Sequence, residues 1–134
     1  MDPRLRAQSE LDDYIETARS RAPTSEAPPD VAGAADFILD NLFDEELNVD
    51  YVLENMQISS KSFSGKFFFY TGEHPREFIE TRRLRAAVRL RERLDVPGYF
   101  AAYAVGYASY RTFARAFKRV LGCSPCSDPL EMAV

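Results

Sequence analysis

The sequence predicts an all-α protein of about seven helices, built as two helix-turn-helix subdomains joined by a long linking helix. Three observations lead there. Apolar residues recur at helical spacing along the chain, with no alternating β pattern longer than a few residues. The stretch SSKSFSGKFFFYTGEHP (Ser59–Pro75) aligns without a gap to SYRTFARAFKRVLGCSP (Ser109–Pro125), with Ser59/Ser109, Phe63/Phe113, Phe67/Phe117, Gly72/Gly122 and Pro75/Pro125 identical. Between the two copies, PREFIETRRLRAAVRLRERL (Pro75–Leu94) reads as one long helix with proline in its first turn.

Taken in order, Arg4–Arg21 reads as a polar helix with a thin stripe of Leu5, Leu11, Tyr14 and Ile15. APTSEAPPD (Ala22–Asp30) then carries three prolines among small polar residues, the composition of a linker. Residues 1–30 are therefore expected to be an appendage, with the folded unit starting near Val31. Ala35, Ile38, Leu39 and Leu42 fall at i, i+3, i+4 and i+7 of the first core helix. Val49, Val52, Leu53 and Met56 form the next stripe behind Asn48, an expected N-cap. The first copy starts on a serine cap and stops at Gly72, a left-handed C-terminal stop. Pro97–Val105 is a short helix, Gly106 a tight turn, and Ser109–Leu121 the second copy. The expected units are thus 31–74, 75–94 and 95–125, followed by a tail over 126–134.

Composition limits the function classes. No apolar run approaches the ~20 residues of a membrane span, and the N-terminus lacks a signal-peptide core, so a cytoplasmic protein is expected. The net charge of −4 is unevenly divided. Residues 1–58 hold 14 acidic and 4 basic residues, net −10; residues 59–134 hold 7 acidic and 13 basic, net +6. A basic half on an acidic protein fits a polyanion partner, and it equally fits a solvated charged face.

At ~100° per residue, Phe113, Phe117 and Val120 share one side of the second copy and Arg111, Arg115 and Lys118 the other, with Arg119 at the edge. Tyr110 and Thr112 flank its start. A bracing helix, a glycine turn and a helix with an outward cationic face match the arrangement that enters a DNA major groove, where arginines reach guanine edges or phosphates. The alternative is an amphipathic helix whose arginines are merely solvated. The first copy keeps the core side in Phe63, Phe67 and Tyr70, but its outward face is Lys61, Ser64, Gly65 and Phe68. On the linking helix, Arg82, Arg85, Arg89 and Arg93 make a basic stripe, available to a polyanion or paired with nearby glutamates such as Glu80 and Glu92.

From about Ala35 to Pro125 the sequence resembles the DNA-binding domain of the arabinose-regulator (AraC/XylS) family of transcription regulators. VGYASYRTFARAFKRVLGCSP carries the family's second-motif pattern, with glycine and an aromatic, F-x-x-x-F-K, then Gly-x-Ser-Pro. Arg83, Leu84 and Ala87 match the R-L-x-x-A signature of its linking helix, and Ala102 the small residue inside the second motif. The resemblance implies sequence-specific binding to double-stranded DNA, two recognition helices in successive major-groove segments ~34 Å apart, and activation through RNA polymerase. The DNA-contacting residues it implies are Lys61, Ser62, Ser64 and Gly65 in the first helix, and Tyr110, Arg111, Thr112, Arg115, Lys118 and Arg119 in the second. Two units on one chain are compatible with binding as a monomer.

The chain departs from the family pattern in places. Gln57 stands at the usual turn glycine and is expected to take a positive φ; Gly65 and Phe68 stand where the family often has arginine and lysine; Gly98 replaces an aliphatic residue. Asp44, Glu45, Glu46, Asp50 and Glu54 make the first unit acidic. These features support a second reading, a degenerate member that binds protein through this acidic unit and through exposed aromatics such as Phe68, Phe69, Tyr99 and Tyr110. With about 30 residues before the first core helix, the chain resembles the family's minimal members or is a piece of a longer one; Met1 and the tail past Pro125 favour a complete chain.

Enzymatic chemistry is not expected. His74, the single histidine, lies in a turn beside Pro75 with no nucleophile to serve. Cys123 and Cys126 have dithiol spacing but follow a helix end, which fits incidental thiols better than a redox pair. Zinc would need two further ligands, and no cofactor motif is present.

Overall fold

A computed structural model describes residues 2–21 and 26–123. Among them are seven helices and no strand: α1 (Pro3–Arg21), α2 (Pro29–Asp40), α3 (Val49–Met56), α4 (Ser60–Thr71), α5 (Pro75–Leu94), α6 (Gly98–Ala104) and α7 (Tyr110–Leu121). Helices α2–α4 form the first unit and α6–α7 the second, with α5 between them.

The helix ends follow from local chemistry. Asn48 Oδ1 accepts the Tyr51 N–H at 2.8 Å and starts α3; Ser59 and Ser109 accept backbone N–H groups of Lys61 and Thr112 at the starts of α4 and α7. The matched stops, Gly72 and Gly122, have φ of 83° and 79°. Gln57 does take the left-handed conformation at φ 54°, closing α3 without a glycine.

Two apolar clusters meet on α5. Ile38, Leu39, Val52, Phe63 and Phe67 pack with Phe78 and Ile79 from its first two turns. Ala101, Ala102, Val105, Phe113 and Phe117 pack with Leu84, Ala87 and Leu90 further along. The paired phenylalanines of the repeat make equivalent contacts: Phe63 meets Phe67 with ring centroids 5.6 Å apart, and Phe113 meets Phe117 at 5.5 Å, both tilted. Val120 and Tyr70, expected on these apolar sides, lie at the surface instead; Ala116 is the buried neighbour in α7.

The expected appendage is different in the structure. Helix α1 lies along α5 and touches α2, with Ala7 and Leu11 buried in the second cluster and Tyr14, Ile15 and Ala18 partly covered. Its inward stripe keeps Leu11, Tyr14 and Ile15 of the four residues expected and adds Ala7 and Ala18, while Leu5 faces solvent. Glu10 adds an ionic tie, accepting from Arg89 Nε at 3.3 Å and Arg93 Nε at 3.5 Å.

Arg83 is the buried charged residue of the core, 7% exposed. Its Nε donates to the Leu42 carbonyl at 2.7 Å and its Nη2 to the Asp44 carbonyl at 2.6 Å. These carbonyls belong to the loop after α2, where no helix partner is at hand. On its other side the guanidinium packs against Gly106 so closely that a Cβ there would come within 3.0 Å, and it faces the Tyr107 ring. One side chain from α5 thus contacts both units.

Three outcomes are expected. Arg83→Lys loses the guanidinium fork that bonds both loop carbonyls and should lower unfolding free energy by about 1–3 kcal/mol in denaturant titration. Gly106→Ala, at φ 106° and against the same guanidinium, should also cost about 1–3 kcal/mol. The third outcome concerns Tyr107, whose buried hydroxyl has no hydrogen-bond partner among the described residues. Burial pushes this phenol up from 10.0 to about 12. Because the folded value is the higher one, its contribution is complete below pH 10.0 and is lost as pH rises towards about 12. Tyr107→Phe should be neutral or stabilising at pH 7, and melts across that alkaline range should show it losing less stability than the parent.

Candidate nucleic-acid interface

The cationic face of α7 is set by what its other side buries. Phe113, Ala116 and Phe117 are packed into the second cluster, so Arg111, Thr112, Arg115 and Lys118 stand in solvent. None of these three cations forms a salt bridge among the described residues. Tyr110 at the start of the helix is half-buried, its ring tilted against Phe113 at 5.8 Å. Ser109 fixes the approach of the helix by capping it and by donating its hydroxyl to Thr112 Oγ1 at 3.0 Å.

Arg119 differs from its neighbours. Its Nη2 donates to Glu80 Oε2 on α5, so this cation faces the linking helix. No sequence signal pairs two residues that stand 39 positions apart.

On α4, Lys61, Ser62, Ser64 and Gly65 are all exposed along one side. Ser64 Oγ lies 3.1 Å from His74 Nδ1, and Phe68 stacks on the same imidazole with ring centroids 4.5 Å apart. Lys66, the helix's other cation, bonds Asp30 at the start of α2 at 3.0 Å. That bond holds the Asp30 carboxyl below the usual carboxylate range. The outward face of α4 therefore carries Lys61 alone as an uncommitted charge among the described residues, beside large exposed rings; Phe69 is 78% exposed.

The basic stripe on α5 is not a free polyanion surface. Arg82 bonds Glu73 and lies over the Phe78 ring at 3.6 Å, while Arg89 and Arg93 meet Glu10 of α1. Arg85 remains exposed. The stripe is neutralised mainly from α1, a helix that its sequence places outside the core. Of the aromatics expected at the surface, Phe68, Phe69 and Tyr99 are exposed; Tyr103, exposed as well, was not among them.

No group of three or more His, Cys, Asp or Glu residues among those described could hold a metal. Cys123 is exposed, and Cys126, with the rest of the Cys-x-x-Cys motif, Gly-x-Ser-Pro ending and tail, lies outside the described residues. No described helix is long and apolar enough to cross a membrane.

Comparison with known proteins follows this geometry. A family model described as a helix-turn-helix domain matches residues 52–127. Among solved structures, the C-terminal domain of AraT, a response regulator from Geobacillus stearothermophilus, superposes with a TM-score of 0.72. The two are 24% identical, and the match covers 82% of this chain and 89% of that one. No curated protein matches significantly.

Gly65 yields the test for this interface. A Cβ built there meets nothing within 4 Å. Gly65→Ala should raise stability by about 0.5–1 kcal/mol through helix propensity alone, read as an increase in melting temperature.

Proposed function

The chain belongs to the AraC-type helix-turn-helix family, and from that premise we propose that it is a small cytoplasmic transcription regulator that binds a specific double-stranded DNA site, with α7 leading. The observation that carries this reading is the trio Arg111, Arg115 and Lys118, exposed and without a salt-bridge partner among the described residues, opposite the buried Phe113 and Phe117. Helix α6 braces and α7 enters the major groove. Arg111 and Arg115, one turn apart, reach base edges, where guanidinium forks match guanine O6 and N7; Tyr110 flanks them. Thr112 and Lys118 reach phosphates, and those contacts position the helix without reading sequence.

The first unit contributes through Lys61, Ser62, Ser64 and the open backbone at Gly65. It adds less, because one uncommitted cation and a glycine offer fewer contacts, and because exposed Asp44, Glu45, Glu46, Asp50 and Glu54 repel phosphate. Activation through RNA polymerase is the output that suits such a regulator. A protein-only role is the second reading, favoured by one observation, the exposed Phe68 and Phe69 where a DNA-reading face would be polar.

Fluorescence anisotropy on duplexes selected from a random pool tests the proposal. Arg115→Ala should weaken specific binding by about 1–3 kcal/mol and relax preference at one base position, with Lys61→Ala costing less. Absence of duplex binding at low salt, or an affinity indifferent to salt, would refute DNA recognition and leave the protein-only role.

A further inference from the structure

We propose that Glu80 is a positioning residue: through Arg119 it holds α7 at a set orientation to the first unit, and it withholds Arg119 from DNA phosphate. The inference deepens the DNA-binding reading above and rests on it.

Glu80 occupies a distinctive place on α5. The residue before it, Ile79, is buried in the first cluster, and Arg83 and Leu84 one turn later join the loop after α2 and the second cluster. Its side chain is 18% exposed, and two guanidinium groups converge on it. Arg76 Nε, one turn earlier on α5, approaches Oε1 at 3.3 Å; Arg119 Nη2 of α7 reaches Oε2. Further along, α5 and α7 also meet through apolar side chains, with Leu84 and Ala87 sharing a cluster with Phe113 and Phe117. Apolar packing resists separation but is weakly directional. A charge-assisted hydrogen bond to a mostly covered carboxylate supplies direction and is little screened by salt.

Direction matters because two recognition helices can engage one duplex together only at the right separation and angle. Slack between linked binding units lowers the effective concentration of the second for its half-site. Arg119 is placed at the cationic edge of α7, where a free guanidinium would meet phosphate; bonded to Glu80 it serves geometry instead. Arg76 keeps the carboxylate aimed by bonding its other oxygen.

The test uses Glu80→Gln, Arg119→Gln and the double variant of the full chain. Binding is measured by anisotropy against a duplex selected by the parent, the second half-site alone, and the full site with one base pair inserted between half-sites. Each single variant should weaken full-site binding about 3- to 10-fold, and the double should be no weaker than the singles. Arg119→Gln should leave binding to the isolated half-site and the salt slope at the parent's values. Glu80→Gln, which frees Arg119, should steepen the slope by up to about one. In both, the penalty for the inserted base pair should shrink. Glu80→Asp should recover most of the affinity. The inference is overturned if Arg119→Gln reduces the salt slope by about one while Glu80→Gln is neutral or tighter, since Arg119 is then a phosphate contact. Additive losses, equal losses on the isolated half-site, or a selected site with one half only would overturn it as well. A parent chain that binds no duplex refutes the DNA-binding reading itself, and the inference falls with it.

Discussion

Arg83 holds the arrangement on which the interface depends. Its guanidinium is buried where a charge is stable only if its donors find acceptors, and desolvation pulls its pKa down from the usual value. The acceptors are the loop carbonyls of Leu42 and Asp44, the second of which also accepts the Leu47 N–H at 3.1 Å. The demand is mutual: the loop after α2 needs donors, and α5 carries a donor fork that fits them. Glycine at 106 lets the second unit come up against the same group. The junction between the two units is therefore specified by polar satisfaction and close approach, with apolar clusters on either side contributing bulk stability.

From this shared frame the two halves diverge at the surface. The repeat preserves the residues that pack, because a phenylalanine in each cluster has fixed neighbours on α5. Outward residues are bound by no such constraint. On α7 Arg111, Arg115 and Lys118 are cations without partners among the described residues, whereas on α4 Lys66 is taken up by Asp30 of α2, Ser64 meets His74, and the rings of Phe68 and Phe69 are exposed. The acidic N-terminal part is likewise not a separate region. Glu10 meets two arginines of the linking helix, so much of the charge asymmetry of the sequence is resolved by contact within the fold.

The helices, caps and apolar clusters were legible because they are local: Asn48, Ser59 and Ser109 cap within three residues, and the phenylalanines recur at helical spacing. Gln57 was legible as a left-handed turn because it stands where the resembled family usually has its turn glycine. What escaped was non-local. The stripe of Leu11, Tyr14 and Ile15 on α1 was visible, but not that it packs on α5 across a proline-rich segment, where Ala7 and Ala18 complete it. The pairing of Arg82 with Glu73, and of Arg119 with Glu80, depends on which rotamer and which neighbouring helix a long side chain meets. Charge pattern alone could say that these arginines have an outward side; it could not say which are already engaged.

Gly65 bears on how such a protein diversifies. Open space surrounds it, and it sits on the outward side of a helix whose opposite side is held by Phe63 and Phe67. A single codon change there can introduce a long polar or cationic side chain without disturbing any packed neighbour. Under the proposed reading, in which α4 meets one half-site, preference there is separable from fold, and a lineage could acquire a new target while α7 kept its grip on the old one.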